Sequence, residues 1–354
     1  MKVIVAGAGL GGLALACGLR RAGIDVAVYE RDRSPLVRRQ GYRLHLSDVG
    51  IDALTSVMVP ERWAAFLATA HTPSPRFVRF DPTLEELDVV KHGGRHLSID
   101  RRTLRDALLA DVAETVTYGK RLTGFRVAAD QVTACFDDGA AVAGDVLVGA
   151  DGINSAVRRR YLPHARVVGT GLVQLYGKIP AGRAEGMDNV FTAISGPGHR
   201  TVGVAPTRDY ATCSFGARAE DLPSGLHLMT QEQLRSLVMD MTDGWHPLVR
   251  RMIAQWHEVF PLELRTSVPI PPWRTSRVTL LGDAVHAMSP AAGAGANLAL
   301  RDAAALSAAL AHGGPLMPAL RSYERDMIAS GFAAVRVSAA NGARFLGQDP
   351  LPSS

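Results

Sequence analysis

Residues 1–31 read MKVIVAGAGLGGLALACGLRRAGIDVAVYER. Val3 to Ala6 has the β-branched character of a short buried strand. Gly7-Ala8-Gly9-Leu10-Gly11-Gly12 follows at once, and an apolar helical pattern runs from Leu13 to Arg21 until Gly23 ends it. Val26 to Tyr29 makes a second strand, with Glu30 at its end and Arg31 beside it. Strand, glycine turn, helix, strand and acid, in that order, describe a dinucleotide-binding unit. Gly7 permits the tight turn, Gly9 lets the backbone approach a pyrophosphate, and Gly12 lets helix and sheet pack closely. The helix N-terminus offers free N–H groups and partial positive charge to phosphates. Glu30 can accept hydrogen bonds from a ribose hydroxyl. The bland alternative is a glycine-rich turn without a ligand, and the strand, helix and acid around the glycines weigh against it.

The chain has 354 residues, a length that suggests about two domains. Hydrophobic residues at 47% and charged residues at 21% are ordinary for a globular protein. The formal net charge is +5, from 39 basic and 34 acidic residues, and the pI is about 9.3. The basic residues are scattered, with short clusters at Arg38-Arg39 and Arg158-Arg159-Arg160, so mild attraction for an anionic cofactor explains them and a nucleic-acid partner is not expected. Cys17, Cys135 and Cys213 lie far apart and form no CxxC, which reads as buried thiols in a reducing compartment and no metal site. Lys2 and the apolar run ending in LALAC superficially resemble a secretion signal, but the glycines of the phosphate turn lie inside that run. No uninterrupted apolar run reaches membrane-spanning length. A cytoplasmic protein without membrane contact, monomeric or homodimeric, is the expectation.

Downstream, Gly41 to Leu46 alternates as a strand, with Tyr42, Leu44 and Leu46 on one face and Arg43 and His45 on the other. Helices are expected over Asp48–Met58, Pro60–Phe66 and Arg101–Ala113, the last capped by Ser98 or Asp100. Phe77–Phe80 and Glu86–Val90 read as a hairpin or meander, not part of a parallel βαβ sheet. Strands follow at Val116–Tyr118, Arg121–Val127, Gln131–Phe136 and Ala141–Val148, with Asp137-Asp138-Gly139 as a hairpin turn. Leu172 to Arg218 suggests an antiparallel sheet. Helices at Gln231–Met241 and Pro247–Trp256, a strand at Val278–Leu281, and helices at Gly295–Ala311 and Pro318–Phe345 complete the chain.

Two further motifs carry chemistry. Gly149-Ala150-Asp151-Gly152-Ile153-Asn154-Ser155 places Asp151 at the end of a strand, where ligands gather in doubly wound sheets, although Asp-Gly is also a common turn pair. Leu281-Gly282-Asp283-Ala284-Val285-His286, continuing through Pro290 to Gly293-Ala294-Gly295-Ala296-Asn297, is more specific. Asp283 ends a strand ready to accept from a sugar hydroxyl, and Gly293-Ala294-Gly295 opens a helix with a second set of N–H donors. Two helix N-termini and an acid suit a large two-part ligand such as FAD.

In this order and spacing the three motifs resemble those of the single-component flavin-dependent aromatic hydroxylases typified by p-hydroxybenzoate hydroxylase, and the likeness runs from Met1 to about Phe345. The resemblance implies an α/β fold: a dinucleotide-binding βαβ FAD domain, a mixed-sheet substrate domain inserted into it, and a closing C-terminal helix. The FAD domain would comprise 1–75, 98–170 and 268–346, the substrate domain 76–97 and 171–267, and the tail 347–354. Gly7, Gly9, Leu10 and Gly12 would hold the pyrophosphate, and Glu30 with Arg31 the adenosine side. Arg39 would add a phosphate contact, Arg101 would reach the flavin side, and Leu122 would lie where backbone meets adenine. Asp151 belongs to a motif tied to both FAD and NAD(P)H, Asp283 would bind the ribityl or pyrophosphate part, and Pro290 with Gly293 to Asn297 would lie against the isoalloxazine. Ala294 stands where the family often has Gln, a position that needs only backbone donors.

The activity implied is that of an NAD(P)H-consuming monooxygenase, passing one oxygen atom of O2 to an aromatic or polyketide-like small molecule through a flavin hydroperoxide, with NADPH or NADH as co-substrate. His45 can relay a proton near the flavin, or be a solvated or hydrogen-bonded histidine beside Arg43. Tyr176 shares a strand face with Gln174 and Lys178, either towards a phenolic substrate or towards solvent. His286 reads as structural, holding the loop after Asp283. A same-fold oxidase, reductase or cyclase without hydroxylation, and a non-catalytic flavin redox sensor, are the competing readings.

Overall fold

The computed structural model describes residues 1–37 and 42–352, so the Arg39 candidate lies outside the described residues. Five parallel strands form one sheet in the order Val278–Leu280, Val146–Gly149, Lys2–Ala6, Asp25–Glu30, Val116–Tyr118. Val3, Ile4 and Val5 in its central strand are wholly buried, as a parallel sheet covered on both faces requires. The first helix spans Leu10–Arg21 and starts ahead of the expected Leu13, because the glycines themselves form its first turn. A Cβ on Gly12 would lie 2.0 Å from the Gly7 carbonyl oxygen, and Gly7 holds φ +108°. Only glycine at both positions lets the helix begin directly at the strand's end.

Ala141–Val148 is not one strand. Ala141–Gly144 belongs to a three-stranded antiparallel sheet with Val132–Phe136 and Leu122–Val127, whereas Val146–Gly149 enters the parallel sheet. The chain changes sheet at Asp145, whose carboxylate accepts from the Lys2 N–H at 2.6 Å while its own N–H donates to the Lys2 carbonyl at 2.8 Å.

A seven-stranded sheet follows the order His257–Ser267, Val167–Pro180, Tyr210–Arg218, Thr201–Pro206, Phe191–Ser195, Arg76–Phe80, Glu86–Lys91. Its pairings are antiparallel except that of Phe191–Ser195 with Arg76–Phe80, so the sheet is mixed. One face buries Leu175, Ile194, Val202, Val204 and Phe215 completely under the helices Gln231–Met241 and Pro247–Ala254. Burying each such side chain contributes about 1.5–3 kcal/mol. The opposite face carries Gln174, Tyr176, Ser214, Gly203 and Ala193 and turns towards a two-stranded ribbon, Arg43–Leu46 with Leu97–Asp100. Ribbon and sheet are joined by the Arg43 N–H to Thr212 Oγ1 at 3.4 Å and by Ser98 Oγ, which donates to the Pro206 carbonyl.

Helices Gly295–Ala311 and Leu316–Leu346 close the chain against the first sheet, where the Tyr323 hydroxyl donates to the Leu280 carbonyl at 2.9 Å. The fold is thus α/β, a βαβ unit with an inserted mixed sheet and a closing C-terminal helix. Among the described residues no helix is long and apolar enough to cross a membrane.

Candidate active site

The helix that starts at Leu10 has no side-chain cap and no acidic residue in its first turn, and a Cβ on Gly9 would meet nothing within 4 Å. Its N–H groups therefore face open space with their partial positive charge uncompensated. Glu30 is buried, with Oε2 accepting from the Ala8 N–H at 2.8 Å and Oε1 from the Asp32 N–H at 3.0 Å. Each oxygen keeps a second lone pair for a ligand. Arg31 beside it is exposed, and Leu122 is buried at the start of its strand, paired with Phe136. Arg105, which the sequence reading missed, donates from Nε to the Ala8 carbonyl at 3.3 Å, so a second cation sits at the glycine turn. Its signal was the i, i+4 spacing from Arg101, which puts both on one helix face.

Asp151 accepts through Oδ2 from the Ala156 N–H at 2.6 Å and the Val157 N–H at 3.3 Å, while its Oδ1 is buried without a partner among the described residues. Arg158 ties this loop to the third motif, donating to the carbonyls of Ile153 at 2.9 Å and Ala284 at 3.0 Å. Asp283 opens the short helix Asp283–His286 and is exposed, whereas Ala284, Val285 and His286 behind it are buried. Desolvation holds its carboxyl above the usual range, against the pull of His286 and Arg101. Arg101 itself starts the helix Arg101–Val112, capped by Asp100, and lays its guanidinium 5.8 Å from the centre of the Tyr42 ring. His286 is fully buried and bonds Asp302 Oδ2 at 2.6 Å, and the same oxygen accepts from the Gly282 N–H at 3.1 Å. That arrangement holds the loop together, away from solvent.

Pro290–Ala292 forms a single tight turn, Gly293 follows with φ +60°, and Ala294 leads into Gly295–Ala311 without a side-chain cap. Ala296 lies in that helix's first turn. The Asn297 side chain is fully engaged: Nδ2 donates to the carbonyls of His45 at 2.9 Å and Gly293 at 3.1 Å, and Oδ1 accepts from the Ser47 N–H at 2.9 Å. What this segment can offer a ligand is its backbone.

His45 thus stands at the second glycine turn. Its Nε2 lies 3.1 Å from His96 Nδ1, and His96 Nε2 lies 2.7 Å from the Gly93 carbonyl. A carbonyl only accepts, so neutral His96 carries its proton on Nε2 and receives a hydrogen bond at Nδ1, which leaves His45 Nδ1 unprotonated, an acceptor with no partner among the described residues. Burial, then Arg43, His96 and His92, push His45 down to about 3. Tyr176 sits elsewhere on the sheet, in a triangle of rings with Tyr42 at 5.3 Å and Phe260 at 5.5 Å, those two being 6.3 Å apart, and its hydroxyl donates to Gln174 Oε1 at 3.1 Å. The structure therefore brings His45 to Asn297 and Gly293, and places Tyr176 in the aromatic contact that joins ribbon and sheet.

Two uncapped helix openings, the orphaned Asp151 oxygen and the open carboxylate of Asp283 supply donors for phosphates and acceptors for sugar hydroxyls, a set that fits FAD. Residues 1–314 match the family model of the FAD binding domain. A dual O-methyltransferase/FAD-dependent monooxygenase of Cercospora beticola is 29% identical over 382 residues; the match covers 92% of this chain and 44% of that protein, so the chain spans less than half the relative's length. Aurachin C monooxygenase/isomerase of Stigmatella aurantiaca is 30% identical over 348 residues, covering 96% of this chain and 86% of its own. The crystal structure of Klebsiella pneumoniae HpxO complexed with FAD and uric acid superposes with a TM-score of 0.87 at 27% identity, over 99% of this chain and 90% of that one. A likeness that runs unbroken through both glycine turns and both large sheets reflects common descent: the chain belongs to the p-hydroxybenzoate hydroxylase-like family of FAD-dependent monooxygenases.

Proposed function

We propose that this chain is an FAD-dependent monooxygenase that consumes NADPH or NADH and inserts one oxygen atom from O2 into an aromatic or polyketide-like small molecule. In this reading 1–75, 98–170 and 268–346 hold FAD, and 76–97 with 171–267 frame the substrate. The observation that carries it is the clamp from Asn297 to His45 and Ser47, which fastens to the second glycine turn the ribbon that is itself bonded to the large sheet at Thr212 and Pro206.

Bound FAD supplies the redox and oxygen-transfer chemistry. The glycine turn at Gly7 to Gly12, Glu30 and Arg105 orient its adenosine and pyrophosphate side, and Arg101, Asp283 and the backbone of Gly293 to Asn297 hold the flavin side. His45 takes a proton from a substrate hydroxyl at Nδ1 and passes one from Nε2 to His96 Nδ1. His96 lines a surface hollow of about 430 Å³, bounded also by Trp63 and Pro73, through which that proton reaches water. The tight seam of Tyr42, Tyr176 and Phe260 keeps water from entering between ribbon and sheet.

The test is to load the purified protein with FAD and follow its visible spectrum, oxygen uptake and NADPH consumption with and without a panel of phenols, hydroxyquinolines and polycyclic phenols. Oxygen uptake that accelerates with one of them, and a product 16 mass units heavier carrying 18O from 18O2, supports the reading. A flavin that neither NADPH nor NADH bleaches without oxygen in the presence of the panel, or turnover that leaves no labelled oxygen in the product, rejects it.

A further inference from the structure

The surface hollow beside His96 has more wall than a proton path needs. Helix Asp48–Val57 contributes Ile51, helix Pro60–Leu67 contributes Trp63 and Leu67, and Pro73, Pro75 and Leu97 join them. Its volume, about 430 Å³, lies within the range of about 300–1,000 Å³ common for small-molecule sites. The segment that carries both prolines is pinned at three points. His71 and Ser98 exchange backbone bonds at 2.9 and 2.7 Å, the Ser74 N–H donates to the Asn189 carbonyl at 2.8 Å, and the Pro75 carbonyl accepts from the His92 N–H at 2.8 Å. Proline rings remove further backbone freedom. A wall held this way does not fold inward to cover its apolar surface, which stays exposed and preorganised for a ligand.

The lining sets the chemistry of that ligand. Trp63 stacks on Phe66, with ring centres 5.7 Å and planes 24° apart. Its indole N–H forms no hydrogen bond among the described residues and is left to donate. With the His96 ring and two prolines beside it, the hollow presents flat apolar surface and neutral donors. Arg95 is the cation in the wall, and its fork is occupied: Nε donates to Asp48 Oδ1 and Nη2 to Asp52 Oδ1, each at 2.6 Å. One cation between two carboxylates leaves this rim net negative, which disfavours an acid.

We propose that this hollow is a second binding site, for a planar aromatic molecule without negative charge, and that its occupant shuts the way from His96 to water. The effect on turnover rests on the monooxygenase reading; the binding does not. The consequence is a brake: a neutral aromatic at high concentration slows the enzyme from outside the site of oxygen transfer.

2-Naphthol and 2-naphthoate are the probes. In FAD-loaded protein labelled with 15N at its four tryptophans, the Trp63 indole signal is the one missing from Trp63→Phe. It should move on titration with 2-naphthol, and 2-naphthoate should need a concentration about tenfold higher to move it. Leu67→Ser, at an exposed position, should weaken the 2-naphthol response roughly threefold or more. A Trp63 signal that 2-naphthol leaves unmoved, that both probes move alike, or that responds unchanged in Leu67→Ser overturns the inference. With a phenol of the panel as substrate, 2-naphthol should lower kcat, and excess substrate should not restore it. A loss of rate that excess substrate relieves places 2-naphthol in the oxygen-transfer site and overturns the brake. A protein that takes up no flavin, or whose flavin neither NADPH nor NADH bleaches in the presence of the panel, sinks the monooxygenase reading alone, and the Trp63 titration still decides the hollow.

Discussion

Asn297 Nδ2 lies 2.9 Å from the carbonyl oxygen of His45, a bond between residues 252 positions apart in the chain. The same amide accepts from Ser47, so one side chain aligns the ribbon with the helix Gly295–Ala311. Gly50 makes this possible, for a Cβ there would lie 2.3 Å from Asn297 Oδ1 and 3.1 Å from Leu46 Cδ2. Gly50→Ala sets two effects against each other. Alanine should favour the helix Asp48–Val57 by about 1 kcal/mol, but displacing a buried, triply bonded amide should cost about 2–3 kcal/mol. Net destabilisation is expected in urea melts, with weaker FAD binding; a variant more stable than wild type would show that the clamp is loose.

Asn297→Ala should lower stability by about 2–3 kcal/mol, since the His45 carbonyl and the Ser47 N–H lose their partner in a mostly buried setting. Asn297→Asp separates the two halves of the clamp: it keeps an acceptor for Ser47 and leaves the His45 carbonyl without a donor. FAD affinity, read by quenching of flavin fluorescence, should fall in the order wild type, Asp, Ala. Equal affinity in all three would mean the ribbon does not set the flavin side.

Glu30→Gln tests the other end. The carboxylate accepts from both Ala8 and Asp32, so an amide must turn its NH2 towards one of those N–H groups. Charge-assisted bonds contribute about 1.5–3 kcal/mol each. FAD affinity should drop about tenfold or more, a loss of about 1.4 kcal/mol. Titration of the apoprotein with FAD reads it directly, and an unchanged affinity would remove Glu30 from the ribose site.

Local pattern made the nucleotide half legible. Lys2–Ala6, its glycine turn and Glu30 are consecutive, and the helix Gly295–Ala311 lies where its apolar spacing and opening glycines place it. Asp145 was not legible, because apolar alternation runs on through it and only its pairing with Lys2 splits the run between two sheets. The site divides the same way. Its phosphate turns are short-range motifs, whereas the contacts of Asn297 with His45, of His45 with His96 and of Arg43 with Phe191 depend on how distant strands meet. Arg105 was within reach of the sequence by its spacing from Arg101.

Half-buried His45 and fully buried His286 should give stability opposite pH dependences. His45 is ordinarily near 6.5 and is pushed down to about 3 in the fold, so below about pH 6.5 the unfolded chain takes up a proton that the native state refuses. Its contribution is therefore lost as pH falls through that window, by up to about 1.4 kcal/mol per unit. For His286, burial pulls down most, but the charge and hydrogen bond of Asp302, with Asp283 adding to them, together leave the histidine above its ordinary value. Its contribution is present below about pH 6.5 and lost as pH rises through the raised value. Urea melts from pH 5 to 8.5 separate the two by slope. His45→Gln should gain on wild type by about 1–2 kcal/mol between pH 6.5 and 5, whereas His286→Gln, less stable throughout, should lose less than wild type above pH 6.5. A His45→Gln curve parallel to wild type over the acid limb would mean that His45 is protonated in the native state, and a proton acceptor at its Nδ1 would go with it.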